Sequence, residues 1–211
     1  MQRSFQVSSP LKHFLEGKIV CFKISSLSSS SRDKLEQILL PFFRSCNLED
    51  HACELFFCIH ELVSNAFKAN IKRHFFTANN FNIDDPEEYR LGMKAFREFL
   101  YSSPLLPSQI LDDSSYQVKV QIQRLPGKIL LEVINTATLH YYERLRMLEK
   151  ESESKKIKRI TDVMLDSHDC EEGKGLGLLF VFFILHNKLS GSMFSLHTEP
   201  QLTKVRLTLP C

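Results

Sequence analysis

Three polar residues of one stretch have types and spacing suited to chemistry. Glu61, Asn65 and Lys68 stand at i, i+4 and i+7 in the run from Cys58 to Asn70. At about 100° per residue a helix places them within a narrow arc of one face. The carboxylate can take a proton, the amide oxygen can hold a cation, and the ammonium can meet an anion. Leu55, Ile59, Leu62 and Ala66 keep the same spacing on a neighbouring stripe, which predicts the core face. Alone, the three polar residues also describe the solvated edge of an ordinary core helix. A second feature comes much later. Gly173-Lys174-Gly175-Leu176-Gly177-Leu178 opens another apolar helix. Its glycines leave backbone N–H groups free to approach phosphate oxygens, where the helix dipole favours an anion. The same glycines would equally permit tight helix–sheet packing. The run is not a Walker-type loop, because Gly-x-x-x-x-Gly-Lys-[Ser/Thr] is absent.

These residues need elements to hold them. Lys18 to Ile24 has the β-branched and aromatic content of a strand. A serine-rich connector, 25–31, can cap the helix that follows over Asp33 to Phe43, with Pro41 expected to bend or end it. Asn47 or Asp50 offers a cap for the long helix carrying Glu61, which is expected to reach about Arg73. Turn chemistry at Asn79-Asn80 and Asp84-Asp85-Pro86 precedes a helix over Pro86 to Tyr101. Residues 77–115 read as a helical insertion. Tyr116 to Arg124 and Lys128 to Asn135, split by Leu125-Pro126-Gly127, form the clearest hairpin. Leu139 to Lys150 has a helical pattern, and Glu151 to Glu172 is charged and poorly periodic. Leu176 to Lys188 is the last helix; Ser192 to His197 and Lys204 to Leu209 are the last strands. Five strands, several adjacent in sequence, with three substantial helices predict an α+β fold. The expected form is one domain over 1–211, a two-layer sandwich with a mixed, mostly antiparallel sheet and helices on one face.

Composition narrows the function classes. The chain has 211 residues, 43% of them hydrophobic, and a net charge of only +2, which argues against nucleic acid or an anionic membrane as partner. The basic run Lys155-Lys156-Ile157-Lys158-Arg159 is flanked by acids and reads as a solvated face. Six cysteines lack any C-x-x-C pairing, so a zinc site is not expected. Scattered thiols without an apolar leader point to the cytoplasm. The longest apolar run, Leu176 to Leu185, is about half a membrane span.

In this order and spacing, the two polar motifs resemble the GHKL superfamily of histidine-kinase-like ATPases. Glu61-Leu62-Val63-Ser64-Asn65-Ala66 is similar to the family's E-x-x-x-N-A box. Residues 173–178 are similar to its G-x-G-L-G-L box, which closes an ATP lid. The layout is nearest to the free-standing anti-sigma-factor serine kinases. The resemblance implies ATP and Mg²⁺ as ligands. It gives Asn65 the metal, Lys68 and Lys174 phosphate, and Glu61 the nucleophile's proton or orientation. It gives the glycine box, Gly173 to Gly177 with Leu176, the nucleotide and the lid hinge. Residues 139–172 would be the lid, with Arg144 or Arg146 within reach of the phosphates. The family's adenine-reading aspartate is Asn135 here, and the glycines of its D-x-G-x-G box are missing. An asparagine oxygen still accepts a hydrogen bond, without charge. The implied activity is transfer of the γ-phosphoryl to a partner protein, or slow hydrolysis. The alternative is a catalytically inactive, nucleotide-dependent interaction module. A homodimer stays open. His60-Glu61-Leu62 is only superficially similar to a sensor-kinase phospho-acceptor box, because the following proline is absent.

Overall fold

The computed structural model describes residues 9–102, 117–159 and 176–211. Its elements are α1 (Ser9–Leu15), β1 (Val20–Ile24), α2 (Ser29–Arg44), α3 (Ala52–Ala78), α4 (Pro86–Ser102), β2 (Val118–Leu125), β3 (Lys128–Asn135), α5 (Tyr141–Ser154), α6 (Leu176–Asn187), β4 (Met193–Glu199) and β5 (Leu202–Pro210), with a 3₁₀ turn at Glu49–His51. The five strands form one sheet in the order β1-β2-β3-β5-β4, and every pairing among them is antiparallel. The fold is an α+β two-layer sandwich.

Alternation decides which sheet face is buried. Val118, Val120 and Ile122 of β2, Ile129, Leu131 and Val133 of β3, and Leu207 and Leu209 of β5 all point to the helices. The opposite face carries Lys119, Gln121, Glu132, Lys204 and Arg206. There Glu132 accepts from Arg206 Nε at 2.7 Å. Pro126 and Gly127, the latter at φ 70°, make the tight hairpin between β2 and β3.

Several helix bounds differ from the sequence expectation. Residues 9–15 show no strong pattern, yet form α1, because Phe14 is fully buried and packs edge-on to Phe42 at 4.9 Å. Pro41 does not end α2, which continues to Arg44. Phe42 and Phe43 bury the last turn, and Ser45 closes it by donating from N to Pro41 O and from Oγ to Phe42 O. Neither Asn47 nor Asp50 caps α3. Asn47 adopts φ 55° and Asp50 lies in the 3₁₀ turn, which leads into the helix behind buried Leu48. Helix α3 runs past Arg73 to Ala78 because its last turns have a core of their own. Ile71, Phe75 and Phe76 pack there with Phe96 of α4. Gly92 of α4 admits this contact; a β-carbon there would sit 2.6 Å from the Phe76 ring.

Phe76→Ala should remove about 3 kcal/mol from this second core. The expected readout is faster amide exchange across α4 with protection kept in β2 and β3. Equal loss in the sheet would show that the two cores are not separable.

Candidate functional site

Helix α3 is the floor of the site. Its stripe Glu61, Asn65, Lys68 continues one turn further to Lys72, and the four side chains meet different surroundings. Glu61 lies against the start of α6. A β-carbon added at Gly177 would fall on the Glu61 carboxyl group, so the two can stand this close only while residue 177 is glycine. Asn65 Nδ2 donates to Glu61 Oε1 at 3.1 Å, which leaves the Asn65 oxygen uncommitted to that pair. Lys68 is exposed and forms no ion pair with a described residue. Leu176 begins α6 and is half-buried. Gly173, Lys174 and Gly175 lie outside the described residues.

Asn135 closes the site from the sheet side. It ends β3 with its side chain on the helix face, 5% exposed. Its Nδ2 donates to Ala66 O at 3.2 Å, within the Glu61–Ala66 motif itself. Its Oδ1 is buried without a partner.

A buried charge cluster forms the far end. Glu143 of α5 pairs with Lys72 through Oε1 and with Arg73 Nη2 through Oε2 at 2.7 Å. It also accepts from the His140 N–H at 3.0 Å. Arg73 donates onward to Ala69 O at 2.7 Å and to Thr138 O. Burial raises the Glu143 pKa, but Lys72 and Arg73 outweigh it and hold the carboxyl down at about 2. Burial drives the Lys72 ammonium below its usual range, against the pull of Glu143. With both carboxylate oxygens occupied by cations, the downward shift of Glu143 is the better explained of the two. His140 Nδ1 lies 3.0 Å from Asp84 Oδ1, and Tyr89 stacks on Tyr142 at 4.8 Å. Helix α5, the first part of the segment expected to be a lid, is thereby tied to α3 and to the chain before α4.

The structure thus brings Glu61, Asn65, Asn135 and Gly177 around one stretch of α3. Arg144 and Arg146 are exposed, whereas Glu143, just before them, turns inward. Sequence reasoning missed Lys72, Arg73, Glu143 and Asn70. The available signal was two adjacent cations just before the apolar pair Phe75 and Phe76. Such cations need a buried counter-charge. Among the described residues no cluster of three or more His, Cys, Asp or Glu could hold a metal ion.

No family model matches the chain, and no solved structure matches it. Over 157 residues the chain is 31% identical to a protein of Treponema pallidum (strain Nichols) described as uncharacterized. The aligned region is 74% of this chain and 31% of that protein, so the chain spans under a third of its relative's length.

Two outcomes test this geometry. Gly177→Ala should destabilise the chain by displacing the Glu61 carboxylate, and Glu61→Ala in the same molecule should recover most of the loss. Additive losses in a denaturant double-mutant cycle would show that the two residues do not touch. The second concerns pH. A carboxylate held down at about 2 contributes stability above its ordinary range and loses it as pH falls toward that value. Glu143 should contribute of the order of 3 kcal/mol at neutral pH, fading from about pH 5 downward. Glu143→Gln should be less stable at neutral pH and show a flatter acid limb. An acid limb identical to wild type would remove Glu143 as its source.

Proposed function

We propose that this chain binds ATP with Mg²⁺ over the polar stripe of α3 and acts as a signalling domain of the histidine-kinase-like ATPase type. It passes the γ-phosphoryl to a partner protein or hydrolyses ATP slowly. The observation that carries this reading is the seating of Glu61 against Gly177. The described end of the glycine box and the Glu61–Ala66 box, distant in sequence and each similar to part of one nucleotide site, meet at this contact. Asn65 is turned so that its nitrogen serves Glu61 and its oxygen is left for a cation. Lys68 is exposed beside it for a phosphate. Asn135 keeps a buried, unpaired acceptor next to the same helix, as a base-reading residue requires.

The residues present fit the metal in one respect. With no acidic cluster among the described residues, a cation would depend on Asn65, the phosphates and water. When bound, it would neutralise charge on the phosphate oxygens. The chain's own part is to hold the nucleotide and to place the Glu61 carboxylate near the acceptor's hydroxyl. Among the described residues no helix is long and apolar enough to cross a membrane. Free thiols at Cys21, Cys46, Cys53, Cys58 and Cys211 suit a reducing cytosol, where we place the protein.

One observation favours a second reading, a non-catalytic switch. The Glu61 carboxylate is packed on Gly177 and accepts from Asn65, so it is already engaged. A partner would then dock elsewhere, with the α4 region of the insertion the leading surface.

Isothermal titration with ATP, with and without Mg²⁺, decides first. Wild type should bind only with Mg²⁺, and Asn65→Ala should lose about tenfold or more in affinity. Glu61→Ala should still bind but lose turnover. Absence of binding at millimolar ATP would sink the nucleotide reading. Binding without any turnover in wild type would favour the switch.

A further inference from the structure

We infer that Asn70 is a second base-reading residue, which with Asn135 holds the hydrogen-bonding edge of an amino-bearing purine. The inference rests on the nucleotide reading above and assigns a residue that neither motif contains. Asn70 is 1% exposed, and both its Nδ2 and its Oδ1 lack a partner; Asn135, 5% exposed, lacks one at Oδ1. Buried amide atoms left unpaired cost about 1–3 kcal/mol each. Neighbouring unpaired groups of this kind mark a place where something else completes the bonding.

The Asn135 side chain reaches the turn of α3 that leads to Asn70. Asn135 Nδ2 donates to Ala66 O at 3.2 Å. In a continuous helix that same carbonyl accepts from the N–H four residues on, which is Asn70. The Asn135 side chain and the Asn70 backbone N–H therefore share one oxygen, and the Asn70 side chain lies on the same face of α3 as Ala66, tilted back toward it. Asn70 lies about 140° round α3 from Asn65, clear of the stripe that would meet cation and phosphates.

The unpaired atoms define what can enter. One N–H of Asn135 is committed to Ala66 and its oxygen has no partner, so that oxygen needs an N–H from the ligand. Asn70 presents its amide N–H donors and an acceptor. A phosphate or carboxylate, which only accepts, would leave the Asn135 oxygen unpaired. A ring nitrogen beside an exocyclic amino group offers an acceptor and a donor side by side, as adenine does. The competing occupant is a trapped water, which also donates and accepts.

The test titrates ATP and benzimidazole riboside triphosphate, with Mg²⁺, into wild type and Asn70→Ala. The second ligand has a similar outline but no hydrogen-bonding atoms on that edge. Melting of the free proteins is measured alongside. Asn70→Ala is expected to weaken ATP about tenfold or more, to change the benzimidazole ligand little, and not to lower the melting temperature of the free chain. Unchanged ATP affinity with a lowered melting temperature would overturn the inference in favour of a structural water. Equal losses for both ligands would also overturn it, since Asn70 would then support the site without reading the base. A wild type that binds neither ligand would remove the nucleotide reading itself, a different failure from either of these.

Discussion

The arrangement of this molecule turns on the close approach of α3 and α6 at Glu61 and Gly177. Any side chain at 177 would occupy the space of the Glu61 carboxyl group. The rest of the helical layer is compatible with that approach. Leu178, Val181, Phe182 and Leu185 of α6 are buried in the main core, as are Ile59, Leu62 and Val63 of α3. One turn outward, Phe57 and Phe180 meet edge-on at 6.2 Å. Apolar packing sets how far apart the helices lie, and the glycine leaves room for the Glu61 carboxyl group between them.

The second organising interaction is electrostatic. Lys72 and Arg73 are both 7% exposed and share Glu143. Such a cluster is weak evidence for stability as a whole, because desolvating three charges opposes their attraction. Its specificity is clearer. Only α5 in this rotation offers a carboxylate to both cations, and the Arg73 contacts with Ala69 O and Thr138 O fix the loop between β3 and α5. The chain around the Asn135 end of the sheet is thus held by charge, whereas the Gly177 end is held by shape.

Patterns carried by neighbouring residues were legible in the sequence. The hairpin of β2 and β3 reads from alternation around Pro126-Gly127, and the polar stripe of α3 reads from helical spacing. The antiparallel sandwich follows from their order. What depended on distant partners was not legible. Phe14 stands in a short run without clear periodicity until Phe42 is beside it. Pro41 looks like a terminator until Phe42 and Phe43 bury the turn beyond it. Asn70 has no motif to announce it, and Glu143 could not be told from the exposed acids around it. Within the site, Glu61, Asn65 and Gly177 were found by type and spacing. Their contacts, and the buried acceptor of Asn135, needed three dimensions.

The strand order carries a consequence for how the chain reaches this state. Only β2–β3 and β4–β5 are joined by short turns. The seam between β3 and β5 brings Glu132 to Arg206 across 74 positions, and the seam between β1 and β2 pairs Val20 with Ile122. Two hairpins can close within microseconds, whereas each seam must first overcome the entropy of a long loop. Folding speed is therefore governed by the seams, as in other chains dominated by non-local pairing. Helix α3 is the natural template, since it packs on β2 and β3, one strand of each seam. Asn135 ends the strand shared by the β2–β3 hairpin and the β3–β5 seam, so its end of the site cannot be complete until the sheet is.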